Sequence, residues 1–240
     1  MLDYDYDDEA ARYDESRGGL PRARAAAEAV AGLLPRRTRT LVDLACGTGI
    51  VGGCLREAGY TVLGVDLSAG MLHQAAGRLD AAVRADARAL PLAPGSAEAV
   101  TAVWLLNLVD DAAPFVAEVA RVLRPGGLFV TTVDKSAAHA RGSDMDALLD
   151  PYRPVELPDG AGRVTALAAA HDLRPHGSAR FTGHGQGRSP REVAARVREG
   201  SQYAAGGEDL ARRLEALPRP EEPRPDPTYT LLALRKRNRG

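Results

Sequence analysis

Three aspartates stand at or near the ends of three successive apolar runs: Asp43 in TLVDLACGTG, Asp66 in TVLGVDLS and Asp86 in AAVRADARAL. The first run passes straight into a glycine turn, Gly47 and Gly49, which opens a helical pattern from Ile50. Glycines let ligand atoms approach the backbone, and the free N–H groups of a helix start face whatever sits there. An acid that ends the second strand of such a unit accepts hydrogen bonds from a ribose hydroxyl pair. The residue types and their order therefore suit a ligand that contains a nucleoside. Gly47, Gly49 and Gly52 also fit the G-x-G-x-x-G pattern, which alone leaves the kind of nucleotide open. Asp43 lies within the strand, just before the turn, where a carboxylate repels pyrophosphate but pairs through water with an ammonium group. No Tyr-x-x-x-Lys pair for hydride transfer exists, because the only lysines are Lys135 and Lys236.

The elements that must position these residues alternate. Strands are expected over 41–44, 61–66, 81–85, 99–103 and 128–133, with helices over 50–58, 69–78 and 112–123 between them. Such alternation implies a parallel sheet with helices on both faces. RPGG (124–127) reads as the turn into the fifth strand. An alanine-rich helix over 20–34 precedes the first strand, stopped by Pro35. Beyond 133 the pattern loosens: a helix over 163–171, a strand over 178–182, helices over 190–199 and 208–217, and a last strand over 228–234. Ser189-Pro-Arg-Glu192 is a capping box with proline at the first helical position. A chain that ends in a strand after a helix-rich stretch suits a sheet closed by an antiparallel hairpin.

Bulk properties narrow the class. At 240 residues, 45% of them hydrophobic, the chain suffices for one large domain with its own core. A net charge of -1 disfavours a general nucleic-acid binder, which needs a basic face. Two cysteines, Cys46 and Cys54, without CxxC spacing point away from a disulfide and towards a reducing cytoplasm. The acidic start MLDYDYDDEA is no signal peptide, and no run is long enough to span a membrane. No cluster has metal-ligand spacing, and the sequence is silent on oligomeric state.

DLACGTGI, followed in order by GVDLSAGML, RADARALPL and RVLRPGG, resembles the class I S-adenosylmethionine-dependent methyltransferase family, in particular its small-molecule members from bacterial secondary metabolism. The resemblance runs from about Tyr13 to Val133 and includes the final strand. It implies a Rossmann-like α/β fold: a mostly parallel seven-stranded sheet, the last strand antiparallel, helices on both faces. It also implies one domain over 1–240, with a lid segment at 1–19 and cover elements at 136–162 and 188–217. S-adenosylmethionine would be the cofactor, S-adenosylhomocysteine the product, and a small molecule the partner. Residue by residue, Asp43, Ala45 and Gly47 would hold the methionine portion and Asp66 the ribose. Leu67 and Met71 would sandwich the adenine, with Asp86 and the Ala87 amide at its edge. Trp104 would lie near the sulfonium. Tyr13 and Arg17 match the family's YDxxR segment, with Arg17 a candidate for the methionine carboxylate. Bland readings stand beside these: Met71 as helix packing, Asp86 as a solvated loop acid, Arg17 as a surface arginine.

Methyl transfer from a sulfonium is an in-line displacement, so alignment and exclusion of water supply much of the rate. A base is needed only where the acceptor must lose a proton. His184, in RFTGHGQG, and His139, after the fifth strand, are candidates by type. Asp134, which follows that strand, is placed to reach a substrate. Asn107 stands where many relatives carry histidine and leaves only hydrogen bonding there. Two other readings remain: an NAD(P)-dependent oxidoreductase on the same turn, and a methyltransferase fold that binds the cofactor without transferring methyl.

Overall fold

A computed structural model describes residues 6–238, so the first five residues of the acidic arm lie outside the described residues. The chain opens with short helical turns, α1 (Tyr6–Glu9), a 3₁₀ turn (Ala10–Arg12) and α2 (Tyr13–Ser16), and then α3 (Gly19–Leu33). The alternating part follows as β1 (Thr40–Leu44), α4 (Ile50–Glu57), β2 (Thr61–Asp66), α5 (Ala69–Ala75), β3 (Ala81–Arg84), β4 (Ala97–Ala102), α6 (Ala113–Val122) and β5 (Leu123–Val133). After two short turns, α7 (Lys135–Ala138) and α8 (Asp146–Leu149), come α9 (Ala161–Ala169) and β6 (Leu173–Thr182). α10 (Pro190–Arg198), α11 (Gly207–Glu215) and β7 (Thr228–Lys236) complete the chain.

The seven strands form one sheet in the order β3-β2-β1-β4-β5-β7-β6. Every pairing among β1 to β5 is parallel, and β7 runs antiparallel to both β5 and β6. Period-two alternation sorts the side chains onto two faces. Leu41, Val62, Ala99, Val130 and Leu231 join α3 and α4 in one core, whereas Val42, Val65, Val100, Phe129 and Leu234 join α6 and α9 in the other. A third apolar cluster lies apart from the sheet. In it Ala140, Met145 and Leu149 pack against Val193, Val197, Leu210 and Leu214, so the segments around 140–149 and 190–214 make one small helical body. Its best-formed helix, α10, carries the capping box: the Glu192 amide donates to Ser189 Oγ and the Ser189 amide donates to the Glu192 carboxylate.

β5 and β6 begin well before the sequence pattern suggests. β5 starts at Leu123, which pairs with Ala97 before the ladder resumes at Leu128–Ala99, so RPGG is a bulge inside the strand. Gly127 is required there, since a Cβ would stand 2.9 Å from the Arg124 carbonyl oxygen and 3.0 Å from that of Glu98. β6 starts at Leu173 and absorbs Pro175 and Gly177 through another register shift against β7. Proline and glycine read as breakers in sequence, but a bulge accommodates both.

Candidate functional site

Strand order reverses between β1 and β4, and ligands of open α/β sheets bind beyond the carboxyl ends of the strands at such a switch point. Asp43 and Thr101 face each other there in register. The Thr101 hydroxyl donates to Asp43 Oδ1 at 2.7 Å. Asp43 is 2% exposed; burial pushes its carboxyl up to about 6, and nearby Asp66 adds to the rise, whereas the Thr101 hydrogen bond opposes it. The chain leaves β1 through Ala45, β4 through Trp104 and β5 through Asp134, all non-glycine residues at φ of 50°, 65° and 52°. Left-handed conformations at such residues cost energy and cluster at functional sites.

Asp66, at the end of β2, is fixed from two sides. The Gly47 amide donates to its Oδ2 at 2.8 Å and the Ser68 amide to its Oδ1 at 2.9 Å. A carboxylate has about four acceptor positions, so two remain for a further pair of donors. Ser68 caps α5, accepting from the Met71 amide at 3.0 Å. Met71 is buried, and its sulfur would lie 3.9 Å from a Cβ on Gly47, whereas Leu67 is 58% exposed. An apolar side chain left open next to Asp66 is what a flat apolar ligand face would cover. Asp86 is engaged differently from the expectation: Arg88 holds it through its amide (2.8 Å), Nε (3.0 Å) and Nη2 (2.6 Å), and these bonds draw its carboxyl below the usual range. Ala87 packs half-buried beside it.

The N-terminal segment lies across this half. Asp7 binds Ser68 Oγ and accepts from the Gly70 amide at 2.8 Å, and these bonds lower its carboxyl. The approach is close enough that a Cβ on Gly70 would stand 2.9 Å from Asp7 Cα. Further along, Asp14 accepts from Thr48 Oγ1 at 2.5 Å and from Arg78 at 2.7 Å, which ties α2 to the glycine turn. Arg17 sits 5.6 Å over the Tyr13 ring. Tyr13, Arg17, Arg22, Ile50 and Trp104 line a small cavity between this segment and the end of β4.

On the other side of the switch point the residues are basic and aromatic. Arg22 lies 3.5 Å over the Trp104 ring, and Trp104 packs against Phe181 (6.0 Å) and Tyr229 (6.3 Å). The Asn107 amide, oriented by its neighbours, donates to the Trp104 carbonyl at 3.1 Å and accepts from Lys135 Nζ at 3.3 Å. Burial, reinforced by Arg22 and Arg17, brings the Lys135 amine down to about 8. His139 packs at a tilt beside Tyr203, ring centres 6.5 Å apart; burial and then Arg188, Arg153 and Arg196 hold its imidazole down to about 4. It is therefore neutral at pH 7 and a weak base. Asp134 accepts from the Ala161 amide at 3.1 Å, anchoring the start of α9. His184 is half-exposed on a loop whose Gly185, Gln186 and Gly187 amides all donate to Asp226. The two histidines are thus on different loops in different surroundings.

Asp43, Ala45, Gly47, Asp66, Leu67 and Met71 gather around one turn, and Trp104 faces it from β4. Thr101, Arg22, Lys135, Asp159 and Arg188 join the site without having been named from sequence. Lys135 alone carried a signal, being one of two lysines in an arginine-rich chain.

Residues 42–131 match the family described as "Methyltransferase domain". A demethylmenaquinone methyltransferase of Beutenbergia cavernae is 37% identical over 175 residues, 70% of this chain and 70% of that one. The chain belongs to the class I S-adenosylmethionine-dependent methyltransferase family. The fold agrees with that of the methyltransferase solved with the Haloferax volcanii Trm112 activator, at a TM-score of 0.63 and 18% identity over the whole of both chains. It also agrees with geranyl diphosphate C-methyltransferase of Streptomyces coelicolor, solved with S-adenosylhomocysteine, at a TM-score of 0.55 and 20% identity over 88% of this chain and 75% of that one.

Family membership sets the oxidoreductase reading aside and makes S-adenosylmethionine the cofactor. The residues present suit it. Asp66 keeps acceptor capacity beside an open apolar side chain, and apart from its chain neighbours nothing crowds the Cα of Gly47 more closely than the Met71 sulfur, which would lie 3.9 Å from a Cβ there. Among the described residues there is no group of acidic, histidine or cysteine side chains that could hold a metal, and no helix long and apolar enough to cross a membrane. Cys46 and Cys54 are both free and buried.

Proposed function

We propose that this methyltransferase acts on a small organic acceptor, an intermediate of natural-product or quinone-like chemistry, at an oxygen, nitrogen or carbon atom. The observation that carries the reading is Asp66, whose carboxylate the Gly47 and Ser68 amides hold in place at the mouth of the glycine turn. The cofactor, when bound, supplies an electrophilic methyl group on a sulfonium centre. Asp66 would take the ribose hydroxyls; Leu67 and Met71 would cover the adenine, with the Ala87 amide at its edge. Asp86 would offer what acceptor capacity Arg88 leaves. Asp43 and the Ala45 carbonyl would face the ammonium, with Tyr13 and Arg17 closing over the methionine end. The Gly47 amide is already given to Asp66, so Gly47 contributes close approach of its backbone rather than a donor.

The acceptor side supports alignment more than proton abstraction. His139 is held neutral and weakly basic, Asp134 is committed to α9, and His184 stands on the loop tied down by Asp226. Trp104, backed by the buried rings of Phe181 and Tyr229, is an aromatic wall against which a flat acceptor can be oriented. The demethylmenaquinone relative acts, by its name, on a quinone nucleus, and such a ring suits this wall. Two measurements test the reading. Calorimetry is expected to show S-adenosylhomocysteine binding and no NADH binding; the reverse would overturn it. A mass-spectrometric screen of aromatic and quinone-like acceptors is expected to return a product heavier by one methyl. Cofactor binding without any methylated product across such a panel would favour a cofactor-bound catalyst of another kind.

A further inference from the structure

Arg22 is 5% exposed, and its Nε has no hydrogen-bond partner. It is not alone: Trp104 Nε1, Arg188 Nη1 and His139 Nδ1 are also buried without partners on this side of the molecule. Leaving buried polar groups unpaired is costly, and native proteins rarely do so without a ligand or water to meet them. Two of these groups are guanidinium N–H donors and a third is the indole N–H, donor only. What they lack is an acceptor.

Charge points the same way. Arg22 lies over the Trp104 ring, and Lys135 is linked to the Trp104 backbone carbonyl through Asn107, so both cations are tied to the residue that ends β4. Arg188 lies within electrostatic reach of Lys135, Arg17 and Tyr229. Burial depresses both Arg22 and Arg188, and burial is also the first cause at Lys135. Among the described residues, no carboxylate forms an ion pair with Arg22, Lys135 or Arg188. The acids facing the cluster are few. Asp159 accepts from the Lys135 amide through Oδ2, keeps Oδ1 unpaired and is itself raised by burial; Glu192, whose carboxylate closes the capping box, acts on Arg188 from a distance. The cofactor does not balance this excess, because its one carboxylate is outweighed by an ammonium and a sulfonium. The cofactor carboxylate can meet one donor in the cavity that Arg17 and Arg22 share, and the remaining positive charge calls for an anion on the second substrate.

We infer that the acceptor carries an anionic oxygen group, a carboxylate or an ionised phenol or enol, which docks on Arg22, Lys135 and Arg188 beside the Trp104 ring. This rests on the methyltransferase reading and names the substrate class of the same site. It also explains why the site lacks a well-placed base, since an acceptor that arrives ionised has no proton to give up.

The test uses the full chain saturated with S-adenosylhomocysteine, titrated at fixed ionic strength with benzoate, 4-nitrophenolate and neutral benzamide. Binding is read by calorimetry and, for benzoate, by the emission of Trp104, the only tryptophan. At least one anion is expected to bind ten times more tightly than benzamide or better, and which one binds tells carboxylate from phenolate. Arg188→Gln and Lys135→Gln should each weaken that anion about tenfold while S-adenosylhomocysteine affinity stays within about twofold. Arg22, which packs in the core, is left unaltered. Benzamide binding as well as the anions, or full anion affinity in both variants, would overturn the inference and leave the methyltransferase reading intact. No anion binding to a complex that holds S-adenosylhomocysteine would do the same. Failure of S-adenosylhomocysteine itself to bind would overturn both.

Discussion

The two halves of the site handle charge in opposite ways. On the cofactor side these acids are held by donors from their own neighbourhood: Asp66 by the Gly47 and Ser68 amides, Asp86 by Arg88, Asp14 by Thr48 and Arg78, and Asp43 by Thr101. On the acceptor side closure is partial: Arg22 donates to the Arg17 carbonyl and Lys135 to Asn107, but Arg22 and Arg188 each keep a buried N–H unpaired. One half is pre-organised before any ligand arrives; the other keeps buried donors for a ligand or water to meet. Pre-organisation lowers the cost of binding a fixed cofactor. An incomplete basic half lets the protein be selective, because an acceptor without the complementary charge leaves buried donors unpaired.

Asp66→Ala is the most severe way to break the organised half. It removes a charged acceptor and also frees the Gly47 and Ser68 amides it now holds. S-adenosylhomocysteine affinity should fall at least about a hundredfold, since hydrogen bonds to a charged group contribute about 1.5–3 kcal/mol each. Calorimetry measures this directly, and an unchanged affinity would remove Asp66 from the ribose.

Asp43→Asn separates stability from binding within the same half. The Asp43 carboxyl is raised from 3.8 to about 6 by burial, so the folded state holds its proton more firmly than the unfolded chain does. Stability is therefore lost as pH rises from about 4 to 6, and the full deficit, about 1–3 kcal/mol, persists at neutral pH. Asparagine can still accept from Thr101 and carries no charge. The variant should melt higher than the wild type at pH 7.5, and the gain should vanish near pH 4. Its S-adenosylhomocysteine affinity at pH 7.5 should be about tenfold weaker, and wild-type affinity should itself decline below pH 6 as Asp43 takes up a proton. A variant that neither melts higher nor binds more weakly would mean the Asp43 charge matters to neither.

The contrast between the halves is also a contrast in what the sequence revealed. Asp43 to Gly49, and Asp66 to Met71, are contiguous stretches in which a strand end, a turn and a helix cap follow one another, so local chemistry is enough to see them. Arg22, Thr101, Lys135, Asp159 and Arg188 come from five separate elements and meet only through the sheet order and the insertions. No periodicity announces them. His139 and His184 were candidates by residue type, but type says nothing of the arginines that hold His139 neutral or of the Asp226 carboxylate that organises the loop of His184. The same limit applies to the fold. Strand alternation was plain from 41 to 133, whereas the starts of β5 and β6 were hidden by prolines and glycines that bulges absorb.

Asp14 joins the N-terminal segment to the glycine turn, and its removal sharpens the comparison by loosening the organised half without touching the acids nearest the ligand. Asp14→Ala deletes acceptors for Thr48 and Arg78, both partly buried contacts, whose combined contribution is about 1–2 kcal/mol. The segment should then be cut faster by trypsin at Arg12 and Arg17, with S-adenosylhomocysteine slowing the cut less than in the wild type. Cofactor dissociation should quicken by about threefold to tenfold. Unchanged proteolysis and dissociation would mean that the segment is held by Asp7 and α3 alone and does not act as a cover.

The smallest effect concerns strain, which both halves share. Ala45 leaves β1 at φ 50°, just as Trp104 and Asp134 leave β4 and β5 in the left-handed region. Ala45 can be relieved without changing any side-chain contact to ligand, because only its backbone is assigned a role. Glycine adopts this conformation freely, although the unfolded chain gains entropy and offsets part of the benefit. Ala45→Gly should therefore stabilise the protein by up to about 1 kcal/mol, a rise in Tm of about 2–4 °C for a chain of this size. If the strain only shapes the turn, S-adenosylhomocysteine affinity will be unchanged or slightly weaker through added freedom at the turn. A lowered Tm would instead mean that the Ala45 methyl, partly buried against the core on that face of the sheet, contributes more than its backbone conformation costs.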